Sequence, residues 1–171
     1  WLCLPVGNAG NISAYWMGFT QHHAAQQSGL PHILGVQAAG SAPLVLGHPV
    51  DHPETIATAI RIGRPARGEQ ALQAAEESQG RILAVSDDEI LFAQRRLAAS
   101  GVWVEPASAA GIAGMFAEIR AGRMHPQGQR IVAVCTGHGM KDPDIIARQM
   151  PAPRLLPVEL RALEDAILEE K

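Results

Sequence analysis

Apolar runs alternate along the chain with short breaks rich in glycine, proline and serine, and their order predicts an α/β protein. The apolar runs at residues 1–4, 32–37 and 81–85 have the length and boundaries of short strands. Between them, residues 12–27 and 69–78 contain no proline and have the length of helices. Strand, helix and strand in this order form βαβ units, so we expect the strands to pair in parallel.

The rest of the chain continues this alternation. The segment Ser86–Glu89 has the form of a capping box, because the serine hydroxyl can accept from the Glu89 amide while the Glu89 carboxylate accepts from the Ser86 amide. This box predicts a helix to about Ser100. Alanine and glycine dominate a predicted helix at 106–121, which indicates close packing against a neighbour. The run Ile131–Cys135 is apolar on both faces, which predicts a parallel strand covered by helices on either side.

Three further segments complete the predicted organisation. A helix is expected at 54–62 after a proline-containing loop, and a very short strand at 102–104. The tail carries three prolines and then a charged amphipathic segment. We therefore predict a three-layer α/β fold over residues 1–149, with a mostly parallel sheet and helices on both faces, followed by a proline-rich linker and helix over 150–171.

Composition narrows the classes of partner. The 171 residues are 47% hydrophobic, enough for the core of one ordinary globular domain. The net charge of −3 provides no positive field for phosphate backbones or anionic lipids, and no apolar stretch approaches the ~20 residues of a membrane span. Cys3 and Cys135 both lie in apolar runs, which favours buried, reduced thiols. We expect a cytoplasmic protein that binds neither nucleic acid nor membranes.

The glycine-rich segment Pro5–Asn11 lies where a predicted strand ends and a helix begins. At such a junction backbone N–H groups point outward, the helix dipole favours negative charge, and glycines let an anion approach the main chain. A phosphate is the ligand that this geometry favours, with the side chains of Asn8 and Asn11 adding hydrogen bonds. The alternative is that Gly7 and Gly10 serve only a tight turn.

Two common phosphate ligands do not fit the spacing. A dinucleotide-binding loop would read Gly-x-Gly-x-x-Gly with an acidic residue after the next strand, whereas here the spacing is Gly7-x-x-Gly10 and that strand ends near Gln37. A Walker loop needs Gly-Lys-Ser/Thr, but Lys141 and Lys171 are the chain's two lysines and neither follows such a loop. A small phosphorylated cofactor or substrate remains.

Histidines raise the question of a metal site. His48 and His52 are four residues apart, but Pro49 and Pro53 interrupt the helix that would bring them to one face. A surface loop is the simpler interpretation, and we expect no metal.

Five blocks of the sequence resemble, in order, those of the bacterial threonine synthases. The blocks are Pro5–Trp16, Gln37–Gly47, His52–Gly63, Val104–Ala110 and Thr136–Pro143. These synthases are pyridoxal-phosphate (PLP) enzymes of the tryptophan-synthase-β fold type. The resemblance implies that residues 1–149 correspond to most of the large domain, that the chain matches the C-terminal half of the family, and that the N-terminal half is absent.

The resemblance also implies a cofactor site. The loop of Gly7, Asn8, Ala9, Gly10 and Asn11 would hold the PLP phosphate, which agrees with the argument from the strand–helix junction. Thr136 would face the pyridine nitrogen and Ala59 would pack on the ring. Glu105 has two interpretations, as a buried polar contact near the cofactor or, more simply, as a carboxylate at a helix start.

The implied reaction converts O-phospho-L-homoserine and water to L-threonine and phosphate. It needs a Schiff-base lysine, which in the family lies in an N-terminal block that this sequence lacks, so no catalytic residue is assigned here. Lys141 matches a family lysine that does not carry PLP. The implied partners are a second copy or a separate N-terminal half. Alternatives are a domain that only binds PLP or a phosphorylated metabolite, and another PLP enzyme such as a threonine dehydratase or cysteine synthase.

Overall fold

A computed structural model describes residues 1–149 and 154–169, so Met150–Pro153 of the expected linker and the last two residues lie outside the described part. Four strands and seven helices are present in the described residues. In chain order they are β1 (Leu2–Pro5), α1 (Gly10–Gln26), β2 (Ile33–Ala38), α2 (Pro43–Leu46), α3 (Gly68–Glu77), β3 (Arg81–Val85), α4 (Asp87–Ala99), α5 (Pro106–Arg120), β4 (Val132–Ala133), α6 (Pro143–Gln149) and α7 (Leu160–Glu169).

The strands form one parallel sheet in the order β3-β2-β1-β4. Leu2 pairs with Ile33 on one side and with Val132 on the other, so β1 is a central strand. Helices α1 and α3 cover one face, and α5, backed by α4, covers the other. The predicted three-layer α/β fold with a parallel sheet is confirmed.

Alternation along β1 divides the core between the two layers. Leu2 and Leu4 belong to the cluster under α1 and α3, whereas Cys3 belongs to the cluster under α5. All four residues of β1 are buried. A Cβ on Gly111 of α5 would lie 3.3 Å from the backbone of Leu4, so the small residues of this helix allow the close packing that the sequence predicts.

The helix expected at 54–62 is wrong, because only Thr58–Ile60 forms a single 3-10 turn. The start of α4 explains the difference. Asp87 accepts hydrogen bonds from the Thr55 hydroxyl at 2.5 Å and from the Ile56 amide at 3.0 Å, and the Thr55 hydroxyl in turn accepts from the Ala57 amide. These side-chain acceptors replace helical carbonyls at the start of the segment and so oppose helix formation there.

The expectation for Ile131–Cys135 is also wrong in two respects. Only Val132 and Ala133 form a strand, and Val132 is 50% exposed because β4 is the edge of the described sheet and pairs on one side alone. Cys135 is exposed, so the prediction of two buried thiols holds for Cys3 only. The strand expected at 102–104 is reduced to an isolated bridge between Val104 and His138.

The remaining elements agree closely with the sequence. The Ser86–Glu89 capping box is present, with both reciprocal hydrogen bonds formed. The tail forms α7, whose apolar Leu160 and Ile167 are largely exposed. The division between residues 1–149 and 150–171 stays a prediction. Within the described residues no helix has both the length and the apolar character to cross a lipid bilayer.

Candidate functional site

A cavity of about 300 Å³ lies beyond the carboxyl ends of β1 and β4. The chain leaves β1 through α1 to reach β2 on one side, while β4 adds to the opposite side of β1. The strand order therefore reverses at β1, and ligands of open α/β sheets bind at such a switch point. The cavity is lined by Pro5, Gly7, Asn8, Ala9, Gly10, Asn11, Ala59, Ile60, Glu105, Ala107, Thr136 and Lys141.

All seven residues predicted to contact a cofactor line this one cavity. Five of them are residues 7–11, which run from the loop after β1 into the first turn of α1. Ala59 comes from the 3-10 turn at 58–60, and Thr136 follows β4. Residues distant in sequence are thus brought together, although their roles toward a ligand stay predictions.

The loop presents backbone donors that the protein leaves free. Among the described residues, none accepts a hydrogen bond from the backbone N–H groups of residues 7–11. A Cβ on Gly10 would meet nothing within 4 Å, whereas one on Gly7 would lie 3.0 Å from the Cα of Ile60. Unpaired amides beside open space at a helix N-terminus form an anion-binding arrangement.

Ala9 has a strained backbone at the N-cap of α1. Its φ of 62° and ψ of 10° are left-handed, a region that costs a residue with a Cβ roughly 1–2 kcal/mol. The side chain is buried at 3% exposure. The strain orients the peptide units at the start of α1, and such strain is concentrated at ligand sites.

Two oxygen atoms of Asn8 accept hydrogen bonds from within the protein. Its Oδ1 accepts a hydrogen bond from the Ala66 amide at 2.7 Å, and its backbone carbonyl accepts from Arg67 at 3.3 Å. The segment before α3 is thereby attached to the glycine loop. The Asn8 side-chain amide remains as the group that can donate toward a ligand.

Thr136 is held by a residue that the sequence analysis does not assign to the site. Ser108, in the first turn of α5, is 1% exposed. Its Oγ accepts from the amides of Thr136 at 3.0 Å and Gly137 at 2.7 Å, and lies 2.9 Å from the Thr136 hydroxyl oxygen. The available sequence signal is a lone serine in the block Val104–Ala110, and no local pattern links it to Thr136, which lies 28 residues later.

Glu105 lines the same cavity. It is the N-cap residue of α5, which places it at a helix start as the simpler interpretation expects, although its side chain makes no cap hydrogen bond. The carboxylate is 1% exposed, and its Oε1 and Oε2 lie 3.2 and 3.1 Å from Nζ of Lys141. The Oε2 contact is close but poorly directed, so the pair is better described as an ion pair than as two hydrogen bonds.

A second link joins the two rims of the cavity. The Thr58 hydroxyl donates to a carboxylate oxygen of Asp142 at 2.5 Å, which connects the 3-10 turn carrying Ala59 to the segment after Thr136.

In the described residues, no group of three or more His, Cys, Asp or Glu side chains is arranged to hold a metal ion.

The chain matches known proteins over most of its length. Residues 1–137 match the model of the family described as pyridoxal-phosphate dependent enzymes. Threonine synthase from Mycobacterium leprae is 53% identical over 166 residues, which cover 96% of this chain and 46% of that protein. Threonine synthase from Mycobacterium bovis is 55% identical over 161 residues, which cover 91% of this chain and 44% of that protein.

The fold has solved counterparts. The crystal structure of threonine synthase from Escherichia coli superposes with a TM-score of 0.64 at 15% identity, over 99% of this chain and 44% of that one. At this identity the likeness shows the fold alone. The chain spans less than half the length of the relatives it matches, and the resemblance to threonine synthases read from its five blocks is confirmed. The chain belongs to the pyridoxal-phosphate dependent enzyme family.

Proposed function

We propose that this chain supplies the phosphate-binding and ring-nitrogen sides of the PLP site in a threonine synthase. The reaction is the conversion of O-phospho-L-homoserine and water to L-threonine and phosphate. One observation carries the proposal: the seven residues that the family resemblance assigns to the cofactor all line one cavity at the β1 switch point. Relatives 53–55% identical over nearly the whole chain supply the choice of reaction.

The residues present suit PLP. The free N–H groups of residues 7–11 are donors only, and the open space above Gly10 admits a phosphate to them. Thr136 lines the same cavity with a hydroxyl, and Ala59 lines it with a small apolar surface. A phosphate, an apolar ring face and a ring nitrogen match these three kinds of wall.

Each residue has a distinct task in the proposed reaction. The bound cofactor supplies an electron sink that stabilises negative charge on the substrate's carbon atoms. Thr136 would place a hydroxyl, not a carboxylate, at the ring nitrogen. Because a hydroxyl does not force a proton onto that nitrogen, the ring withdraws electrons less strongly. The weaker withdrawal favours elimination and replacement over transamination. Asn8 donates from its free amide toward the substrate phosphate, since its Oδ1 is held by Ala66.

We assign the covalent link to the cofactor, and the proton transfers at the substrate carbons, to a lysine outside this chain. Lys141 lies in the cavity, but its Nζ is paired with the buried carboxylate of Glu105, 3.1 Å away. The chain alone is therefore expected to bind PLP without a covalent bond and to lack threonine synthase activity.

Reduction with borohydride tests the assignment of the lysine. The chain is mixed with PLP, reduced, digested and analysed by mass spectrometry, with Lys141→Met as the matched control. We expect no cofactor adduct at residue 141 above the level of exposed amines. A stoichiometric adduct on Lys141, absent from the control, would show that this chain carries its own linking lysine and would overturn that part of the proposal.

Complementation tests the reaction. The N-terminal half of the Mycobacterium leprae relative is added to the chain with PLP, and threonine formation from O-phospho-L-homoserine is measured. We expect threonine only when both parts are present. Release of ammonia from threonine without synthesis would favour the dehydratase alternative, and PLP binding with neither activity would favour a binding domain.

The proposal includes a partner and a location. The partner is a second copy of the chain or a separate N-terminal half, and the exposed edge of β4, next to the cavity, is a surface on which such a half would complete the site. The two free thiols, Cys3 and Cys135, are consistent with the reducing cytoplasm.

A further inference from the structure

The hydroxyl of Ser108 has three close polar partners, but its oxygen has only two lone pairs with which to accept hydrogen bonds. It receives N–H groups from Thr136 and Gly137 at 3.0 and 2.7 Å, and its oxygen lies 2.9 Å from the Thr136 hydroxyl oxygen. A serine hydroxyl has one proton and two acceptor sites. Backbone N–H groups can only donate, so these two bonds use both acceptor sites.

The direction of the hydroxyl–hydroxyl bond follows. Since Ser108 has no acceptor site left, it must donate its single proton in the contact with Thr136. The competing acceptor is Oε1 of Glu105 at 3.5 Å, beyond the usual O–H···O range of about 2.5–3.0 Å. Ser108 therefore donates to Thr136 and not to the carboxylate.

The proton of the Thr136 hydroxyl is then available to donate to a ligand. Within the described residues, Ser108 is the partner that the structure gives this hydroxyl, and Thr136 lines the cavity. If a protonated ring nitrogen donated to Thr136, the threonine proton would have no protein acceptor among the described residues. With an unprotonated ring nitrogen, both protons of the Ser108–Thr136 chain are satisfied, and each bond polarises the next.

We propose that Ser108 is a positioning residue that fixes the Thr136 hydroxyl as a hydrogen-bond donor and thereby favours the unprotonated ring nitrogen of PLP. The inference rests on the proposed cofactor site. Ser108 does not touch the cofactor; it acts through Thr136. The positive end of α5, whose first turn carries Ser108, also disfavours a positively charged ring beside it.

A purely structural role is the competing explanation, because Ser108 also attaches the backbone of Thr136 and Gly137 to α5. Ser78 provides a matched control. It is 5% exposed, its hydroxyl accepts from the Ile33 amide at 3.1 Å and donates to the Ala75 carbonyl at 3.1 Å, and it does not line the cavity. Ser78→Ala removes a comparable backbone acceptor without changing the Thr136 hydroxyl.

The test uses pyridoxine 5′-phosphate labelled with ¹⁵N in the ring, which needs no lysine to bind. The nitrogen chemical shift of the probe on the 171-residue chain gives the ratio of protonated to unprotonated nitrogen at neutral pH. Ser108→Ala is expected to raise this ratio about tenfold, the effect of one hydrogen bond. Ser108→Thr should restore the original ratio, and Ser78→Ala should leave it unchanged.

Each result decides between the proposals. An unchanged ratio in a folded Ser108→Ala protein, or an equal change in Ser78→Ala, overturns the role of Ser108 while leaving the cofactor site intact. Failure of the probe to bind the unsubstituted chain overturns the proposed cofactor site and this inference with it. If Ser108→Ala does not fold, Ser108→Cys keeps a weaker donor of similar size, and an intermediate ratio is expected.

Discussion

The two walls of the cavity are built in different ways. The proposed phosphate side, residues 7–11, continues directly from β1, which is fully buried and paired along its length with β2. The proposed ring-nitrogen side, at Thr136, follows β4, which has two residues, pairs on one side and is half exposed. A buried strand supports the first wall, whereas backbone hydrogen bonds donated to the Ser108 hydroxyl and the Glu105–Lys141 ion pair support the second. One wall depends on packing and the other on a few polar contacts.

Thiol reactivity offers the largest expected contrast between the two walls. Cys3 in β1 is fully buried, and burial raises the pKa of its thiol to about 11, whereas Cys135 lies after β4 and is exposed. The thiolate is the reactive form, so we expect an exposed-thiol reagent to modify Cys135 at least about a hundredfold faster than Cys3.

The rates are measured by mass spectrometry of digested samples taken over time. In denaturant the two thiols should react at similar rates, which controls for intrinsic differences. Equal rates in the native protein would mean that β1 opens as readily as β4 and would remove the contrast.

Core truncation tests the same contrast through stability. Leu4 in β1 is fully buried, so Leu4→Ala is expected to lower the free energy of unfolding by about 2–5 kcal/mol. Val132 in β4 is 50% exposed, and Val132→Ala is expected to cost less than about 1 kcal/mol. Urea unfolding followed by circular dichroism gives both values. Similar losses for the two variants would show that β4 is part of the cooperative core.

The support behind the ring-nitrogen wall has a pH dependence. Hydrogen bonding from the Ser86 backbone lowers the pKa of Glu89, which also pairs at 2.6 Å with Arg120 at the end of α5. With the folded pKa below the unfolded one, this contribution is present above the ordinary glutamate pKa of about 4.3 and is lost as pH falls through the folded pKa.

Two variants measure this contribution. Ser86→Ala should cost about 1 kcal/mol at neutral pH through loss of the cap. Glu89→Gln should make the urea midpoint fall less between pH 6 and pH 3 than in the unsubstituted protein, because the titrating partner is gone. An identical fall in both proteins would contradict the assignment to Glu89, which is partly exposed and whose effect we expect to be modest.

Relief of strain on the phosphate side should give the smallest effect. Ala9 has a left-handed backbone, so Ala9→Gly removes a steric cost while increasing the entropy of the unfolded chain. We expect a net change within about 1 kcal/mol, toward higher stability. The control is Ala14→Gly on the exposed face of α1, which should cost roughly 0.5–1 kcal/mol. An equal loss in both variants would mean that the Ala9 conformation is not strained.

The parts of the fold that local patterns control were predictable. The Ser86–Glu89 capping box and the strands at β2 and β3 follow from contiguous residues. The helix predicted at 54–62 is wrong because Asp87, about 30 residues later, accepts hydrogen bonds from the Thr55 hydroxyl and the Ile56 amide. Ile131–Cys135 failed because periodicity shows apolar character but cannot show that a strand lies at the edge of a sheet.

The candidate site also combines features that local sequence predicts with features that depend on distant residues. The phosphate loop could be proposed from a strand–helix junction alone, whereas Thr136 and Ala59 depended on resemblance to a family. Ser108 was missed, and Glu105 was left with two interpretations, because their partners Thr136 and Lys141 lie 28 and 36 positions away in the sequence. No local pattern encodes a contact of that range.

The pairing of β1 with β4 also dictates the order in which the site can be assembled. Thr136 comes 125 residues after Asn11, so the phosphate loop can be translated and begin to fold against β2 long before its opposite wall exists. Closing a loop of this length costs roughly (3/2)RT ln n in chain entropy, and contacts so distant in sequence form slowly. We therefore expect the cavity to form late in folding: before β4 pairs with β1, a nascent chain would present residues 7–11 without Thr136 beside them, and the selectivity proposed for the site would be missing.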